Sequence, residues 1–234
     1  MTSRTDRQVL RTRNTILGFV IVVAILVIGY GTFYSTGGTP GEIVAGDHYT
    51  LVDNPPRKRA GEPIVVHEYF SYACIHCRDF EPLVSDWKQD LPEGATFDRS
   101  PVIFSPIWGI LAQSYYALES LGALDANHDR LFRAIHDSGR QFLTPDMVAD
   151  FVDGNGTTKA EFLRAFESAE VRRATRDAER RQREVKINSV PTLVVGEKYV
   201  VNMDPGRKAA LAIADHLIGL ELTPSGTDAG NATP

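Results

Sequence analysis

Two cysteines three positions apart, Cys74 and Cys77, separate an apolar run from an amphipathic one, and the 234-residue chain has no other cysteine. The run before them, Ile64-Val65-Val66-His67-Glu68-Tyr69-Phe70, predicts a strand buried on both faces. After them Phe80, Leu83, Val84, Trp87 and Leu91 recur at helical spacing. The dithiol therefore sits where a strand turns into a helix, which calls for a mixed α/β fold. One pair cannot staple a scaffold, but it can close into a small disulfide ring, and thiol–disulfide exchange is the chemistry this spacing favours. A structural disulfide or half a zinc site is the bland alternative. Zinc needs four protein ligands, or three and a water, and here the histidines are scattered. Attachment of c-type haem needs histidine directly after Cys77, where Arg78 stands. No metal and no cofactor is expected beyond a Cys74–Cys77 disulfide.

The first forty residues set the compartment. From Asn14 to Gly41 nothing is charged, and Ile16 to Tyr34 is almost wholly apolar. That approaches the roughly 20 residues needed to cross a bilayer as a helix. Arg4, Arg7, Arg11 and Arg13 precede the run against the single acid Asp6, whereas Glu42 and Asp47 follow it. Basic flanks stay in the cytoplasm. Residues 1–14 are accordingly expected inside, 15–34 as one transmembrane helix of the inner (cytoplasmic) membrane, and the rest on the periplasmic or extracytoplasmic side. A cleaved signal peptide is the competing reading: no A-x-A-like site follows Tyr34, but Ser35-Thr36-Gly37 is small enough to leave cleavage open. Both readings deliver the dithiol to an oxidising compartment.

Residues 35–42 read as a flexible tether, 43–222 as one folded domain, and 223–234 as a disordered tail without apolar period. Within the domain, 42–53 is expected as an edge strand, 95–104 as a returning strand, and about 106–187 as an inserted all-helical subdomain. One stripe there is Ile107, Ile110, Leu111, Ser114, Tyr115 and Leu118; another is His128, Leu131, Phe132 and Ile135. Thr144-Pro145 predicts an N-cap, and Thr158 to Glu161 a capping box. Val190–Val195 and Lys198–Val201 form a hairpin around the two-residue turn Gly196-Glu197, and Asp204-Pro205 starts a last helix. Composition is that of an ordinary globular protein, and a net charge of −5 gives no footprint for nucleic acid. The arginines at 172, 173, 176, 180, 181 and 183 alternate with acids and read as a solvated helix face.

Exchange requires a thiolate at an accessible edge. Cys74 takes the first position of its helix, where unpaired N–H groups and the helix dipole favour negative charge. It is therefore expected to attack and leave, with Cys77, one turn inside, resolving. His76 lies between them and can add a hydrogen bond or positive charge, which would make the disulfide more oxidising; the alternative is an idle surface histidine. Glu68 is a carboxylate in an apolar strand, either buried or reaching solvent at the strand end. Tyr69 and Tyr72 are candidates for an apolar surface facing unfolded chains, Phe70 and Trp108 for core. His67 is read as packed in its strand, and His48, His128, His136 and His216 carry no functional expectation.

The segment Glu68-Tyr69-Phe70-Ser71-Tyr72-Ala73-Cys74-Ile75-His76-Cys77 resembles the active-site segment of the DsbA-like thiol:disulfide oxidoreductases. Ser189-Val190-Pro191-Thr192 is similar to the loop that carries a cis-proline in that family, and Leu91-Pro92-Glu93-Gly94 and Gly196-Glu197-Lys198-Tyr199 also fit. The resemblance spans roughly residues 43–220. It implies a thioredoxin-like fold with an inserted all-α subdomain, preceded here by the transmembrane helix. It also implies a buried Glu68 handling protons for Cys77, and a cis Val190–Pro191 bond that offers the Val190 backbone to an extended client. The implied activity is donation of disulfides to exported proteins with free thiols, with reoxidation by a quinone-linked membrane partner. Ile75 departs from the family's strongest oxidants, which carry proline there, and the anchor departs from its soluble members. Two other readings remain: a reductase or isomerase of the same compartment, and a redox-inert, client-binding, chaperone-like module.

Overall fold

The computed structural model describes residues 16–25, 27, 43–59 and 61–223. They belong to two compact units, residues 1–42 and 43–234. In the first, residues 16–25 and 27 are helical; the rest of the expected spanning segment 15–34, segments 1–14 and 35–42, and tail residues 224–234 lie outside the described residues. Among the described residues no helix is long and apolar enough to cross a membrane.

The second unit is built on a five-stranded sheet of order β1-β5-β4-β2-β3. Its strands are β1 (Tyr49–Leu51), β2 (Ile64–Phe70), β3 (Ala95–Pro101), β4 (Thr192–Val195) and β5 (Tyr199–Val201). β2 pairs with β3 in parallel, from Ile64 opposite Ala95 to Phe70 opposite Pro101, and with β4 antiparallel. Flanked on both edges, β2 buries six of its seven residues, as its unbroken apolar run requires. The edge strand expected over 42–53 shrinks to Tyr49–Leu51, because residues 46–48 turn, with Gly46 at φ 94° donating its N–H to the Tyr49 carbonyl.

Helix α1 (Ile75–Trp87) connects β2 to β3, and α7 (Arg207–Leu222) follows β5. Both contribute to one core with Ile64, Val66, Leu193 and Val195, through Phe80 and Val84 of α1 and Ile213 and Leu217 of α7. The last helix begins at Arg207 rather than at Asp204-Pro205. Asp204 donates its N–H to the Asn202 side chain in a turn, and Gly206 at φ 107° is the residue that enters the helix.

Between β3 and β4 run five helices: α2 (Pro106–Ser120), α3 (Leu124–His136), α4 (Pro145–Val152), α5 (Lys159–Phe166) and α6 (Ala169–Glu184). Thr144 caps α4, and Thr158 with Glu161 forms a reciprocal capping box on α5. Ser105 and Ser168 cap α2 and α6 by accepting the Trp108 and Val171 N–H groups. Their core unites Leu118, Leu131, Phe132, Val148, Phe162 and Phe166 with Phe70, Tyr72 and Cys77. Ile107, expected inside, is exposed on the first turn of α2. On α6 the arginines pair along the surface, Arg183 with Glu179 at 2.7 Å and Arg180 with Asp177 at 2.6 Å.

Candidate active site

Cys74 is the N-cap of α1, in extended backbone at φ −97° and ψ 116°. It is half-buried, whereas Cys77, one turn on, is fully buried, and both thiols are free. The chain reaches this point through a tight loop after β2, in which Ser71 Oγ accepts the Ala73 N–H at 3.2 Å and the Ser71 carbonyl accepts the Cys74 N–H at 3.0 Å. The Cys74 thiol donates to the Val190 carbonyl at 3.5 Å, and the Val190–Pro191 peptide bond is cis. Residues 116 positions apart thus meet at one sulfur. Ile75 (46% exposed) and His76 project from the first turn of α1 into solvent. Tyr69, Phe70 and Tyr72 are each only 1% exposed, so none supplies the apolar surface expected of Tyr69 and Tyr72. Trp108 is half-buried against the Tyr69, Val102, Ile187 and Val194 cluster, which Val190 also touches, and its ring lies 5.2 Å from the exposed Phe104.

The two sulfurs are driven apart in acidity. The Cys74 thiol drops from an ordinary 9.0 to about 6, first because the Cys77 thiol hydrogen-bonds it, outweighing the cost of half-burial. The Cys77 and His76 N–H groups at the helix start and the charge of His76 add to this. Burial, and then the neighbouring Cys74 sulfur, push Cys77 far above the usual thiol range.

This combination of fold, helix-start dithiol and facing cis-proline is matched in known proteins. The thioredoxin family model matches residues 61–211. The thiol:disulfide interchange protein DsbA of Azotobacter vinelandii is 35% identical over 187 residues, covering 78% of this chain and 86% of that protein. The DsbA of Pseudomonas aeruginosa PAO1 is 32% identical over 89% of this chain and 97% of its own. In crystal structures, P. aeruginosa DsbA superposes with a TM-score of 0.72 at 34% identity, over 77% of this chain and 95% of that one. The oxidoreductase DsbA of Xylella fastidiosa gives 0.73 at 29% identity, over 77% and 98%. The chain belongs to the DsbA family. It is a thiol:disulfide oxidoreductase with a thioredoxin-like fold and a helical insertion.

Beneath the dithiol, this DsbA-family chain carries a buried polar cluster, of which the sequence alone assigns a proton-handling role only to Glu68, through the family resemblance. Glu68 is 1% exposed, its Cα opposite Arg99 on β3, and it accepts from Arg99 Nε at 3.0 Å. Burial lifts its carboxyl from 4.5 to about 7; Arg99 opposes the rise and Glu81 adds to it. Arg99 Nη2 donates to Glu81 Oε1 at 2.6 Å, while Glu81 Oε2 lies 3.2 Å from His128 Nε2 on α3. His128 Nδ1 in turn lies 2.8 Å from the Tyr72 hydroxyl. Signals for these residues existed. Glu81 follows Cys77 by four and so shares its inward face, and His128 stands in the same apolar stripe as Leu131 and Phe132. His67, read as packed, is buried with Nδ1 3.3 Å from Asp98.

Proposed function

We propose that this oxidoreductase introduces disulfides into exported proteins through a mixed disulfide at Cys74, resolved by Cys77. A client thiolate attacks Cys74 Sγ of the Cys74–Cys77 disulfide, and Cys77 leaves and takes up a proton. A second client thiolate attacks the client sulfur of the mixed disulfide and expels Cys74 as the thiolate. The client is oxidised by two electrons and the protein dithiol holds them. Cys77 resolves the mixed disulfide that Cys74 forms when the dithiol is reoxidised, attacking Cys74 Sγ and closing the Cys74–Cys77 disulfide. The observation that carries this reading is the split between the sulfurs: Cys74, accessible and at about 6, leaves readily as an anion, whereas buried Cys77 keeps its proton. A stabilised thiolate favours the reduced form and makes the disulfide an oxidant. His76 supports that thiolate, and Ile75 forms the exposed apolar wall beside it. Glu68, near neutral in acidity, exchanges the proton that Cys77 gains and loses. Val190, its carbonyl turned to Cys74 beside Pro191, offers backbone pairing to an extended client segment. No cofactor takes part other than the redox-active disulfide.

Residues 15–34 tether the catalytic domain to the inner membrane, on its periplasmic or extracytoplasmic side, and a quinone-linked membrane oxidase takes the electrons. In support, the large apolar side chains of the described helical residues, from Ile16 to Val27, are 41–71% exposed, a surface suited to lipid. Two variants test the exchange. Cys77→Ser should accumulate mixed disulfides on non-reducing gels, and Cys74→Ser should form none; oxidase activity retained in Cys74→Ser would end the assignment. Equilibration with glutathione tests the direction: a potential near that of thioredoxin would instead make the protein a reductase or isomerase, a reading left open by Ile75, which stands where the family's strongest oxidants carry proline.

A further inference from the structure

The buried cluster does not end at Glu68, Arg99 and Glu81; it continues through an imidazole of the helical insertion to the residue two places before Cys74. We propose that His128 is a positioning residue for the dithiol: bridging Glu81 and the Tyr72 hydroxyl, it forces the proton shared by the two carboxylates on Arg99 to reside on Glu68. The proposal rests on the reading of Glu68 as the proton partner of Cys77.

The tautomer follows from the chemistry of the neighbours. The Tyr72 hydroxyl is buried, and burial keeps its proton on oxygen far beyond neutral pH. It therefore donates, and His128 Nδ1, 2.8 Å away, accepts. Burial holds the imidazole neutral, so its one proton is on Nε2 and points at Glu81 Oε2, 3.2 Å away. Glu81 thus receives two side-chain donors, His128 Nε2 and Arg99 Nη2, one on each oxygen. Glu68 receives one among the described residues, Arg99 Nε. One guanidinium between two buried carboxylates neutralises one of them well. The better-solvated partner is Glu81, which stays below the usual carboxylate range despite its burial; Glu68 is left to bind the proton.

The other charged groups facing this chain do not reverse the preference. Lys88, in the turn after α1, favours ionisation of both carboxylates. Burial, with Arg99, holds the His128 ring neutral against Glu81 and the adjacent Asp129, which both favour a protonated ring. Between α1 and α3 a cavity of about 290 Å³, lined by Arg78, Pro82, Asp129 and Phe132, reaches Glu81, so this end of the cluster is open towards water. The Glu68 end is not, at 1% exposure. The same helix grips Tyr72 again, its His136 Nε2 donating to the Tyr72 carbonyl at 2.8 Å, so the loop is anchored even if the hydroxyl contact is lost.

The test follows the carboxyl carbons of ¹³C-glutamate-labelled, full-length reduced protein by NMR, with Glu68→Gln and Glu81→Gln to assign the two signals. In the parent, Glu68 should titrate near 7 and Glu81 below the ordinary range. In His128→Phe the Glu68 midpoint should fall by about one pH unit and that of Glu81 should rise. His128→Gln, whose amide can still donate to Glu81, should restore most of the parent pattern, which a purely structural role for the ring would not predict. An unmoved Glu68 midpoint in His128→Phe overturns the proposal. So does ¹⁵N NMR of the parent, which needs no variant, if it finds His128 cationic at pH 7 or protonated on Nδ1. The underlying reading has its own test: if Glu68→Gln leaves the pH profile of exchange unchanged, Glu68 is not the proton partner of Cys77, and the midpoints still decide where the proton resides.

Discussion

The two sides of the dithiol are built on different principles. The upper rim around Cys74 is made of backbone: a helix start, a tight loop, and the Val190 carbonyl brought opposite the sulfur. The floor under Cys77 is made of side chains, with Glu68, Arg99, Glu81, His128 and Tyr72 arriving from β2, β3, α1, α3 and the loop after β2. The pKa of the accessible sulfur is lowered by the Cys77 thiol first and then by the N–H groups of the rim's helix start. The floor raises that of a carboxyl by removing water. A rim can be altered at modest cost, since solvent replaces lost partners. A floor cannot, because each member is the counter-group of the next.

The largest expected effect therefore lies in the floor. Arg99→Met keeps length and apolar contact but removes the one cation between two buried carboxylates. It should destabilise the protein by about 3–5 kcal/mol at pH 8, read from urea denaturation. The loss should shrink towards pH 5, where both carboxyls, freed of the guanidinium, are protonated. A cost below about 1 kcal/mol at pH 8 would mean that water reaches the Arg99–Glu68 pair, and the contrast with the rim would vanish.

The two sides should also answer pH with opposite signs. Glu68 binds its proton more tightly folded than unfolded, so its contribution to stability is present below 4.5 and is lost as pH rises towards 7. Relative to the parent, Glu68→Gln should gain stability across that window, by at most about 1.4 kcal/mol per pH unit. Cys74 is the reverse: its folded value of about 6 lies below the ordinary 9.0, so its contribution is present above 9 and is lost as pH falls through 6. Only the reduced protein carries that titration. The stability of reduced over oxidised protein should therefore fall between pH 9 and pH 6, with a shallow slope because Cys74 is half-exposed and screened. Iodoacetamide labelling of Cys74 should titrate with a midpoint near 6, and a midpoint near 9 would remove the rim's effect altogether.

This difference explains what could be read in the chain beforehand. The rim was legible because it is local: C-x-x-C between an apolar strand and a helical period specifies a sulfur at a helix start, as Thr158 and Glu161 specify a capped one. The facing Val190–Pro191 loop was legible only through family resemblance, since no local pattern says that residue 190 meets residue 74. The floor was mostly illegible. Arg99 lies 31 positions from Glu68, and His128 lies 47 from Glu81 and 56 from Tyr72. Each of these residues, taken in its own element, reads as a surface charge or a packed ring. Tyr69 and Tyr72 show the same limit from the apolar side: near a client site in sequence, Tyr69 turns into the core because β2 is covered on both faces, and Tyr72, in the loop after it, packs into the core of the helical insertion.

The smallest expected effect tests the boundary of the rim. Arg78, directly after Cys77, donates to Asp137 beyond the end of α3 at 2.7 Å and to Asp79 at 3.2 Å, and so joins the active-site helix to the helical insertion. Both partners of the shorter pair are about two-fifths exposed, 38% and 41% by side chain. An exposed pair gains little over water and is screened by salt, so Arg78→Ala should cost under about 1 kcal/mol and less still at 0.5 M salt. Two contacts already secure the same junction from inside, His128 to Glu81 and His136 to the Tyr72 carbonyl. Exchange by Arg78→Ala should accordingly stay within about twofold of the parent. A tenfold loss would place the hold on the active-site loop at this exposed pair instead of the buried imidazoles, and would move the dividing line between rim and floor outward by one turn of α1.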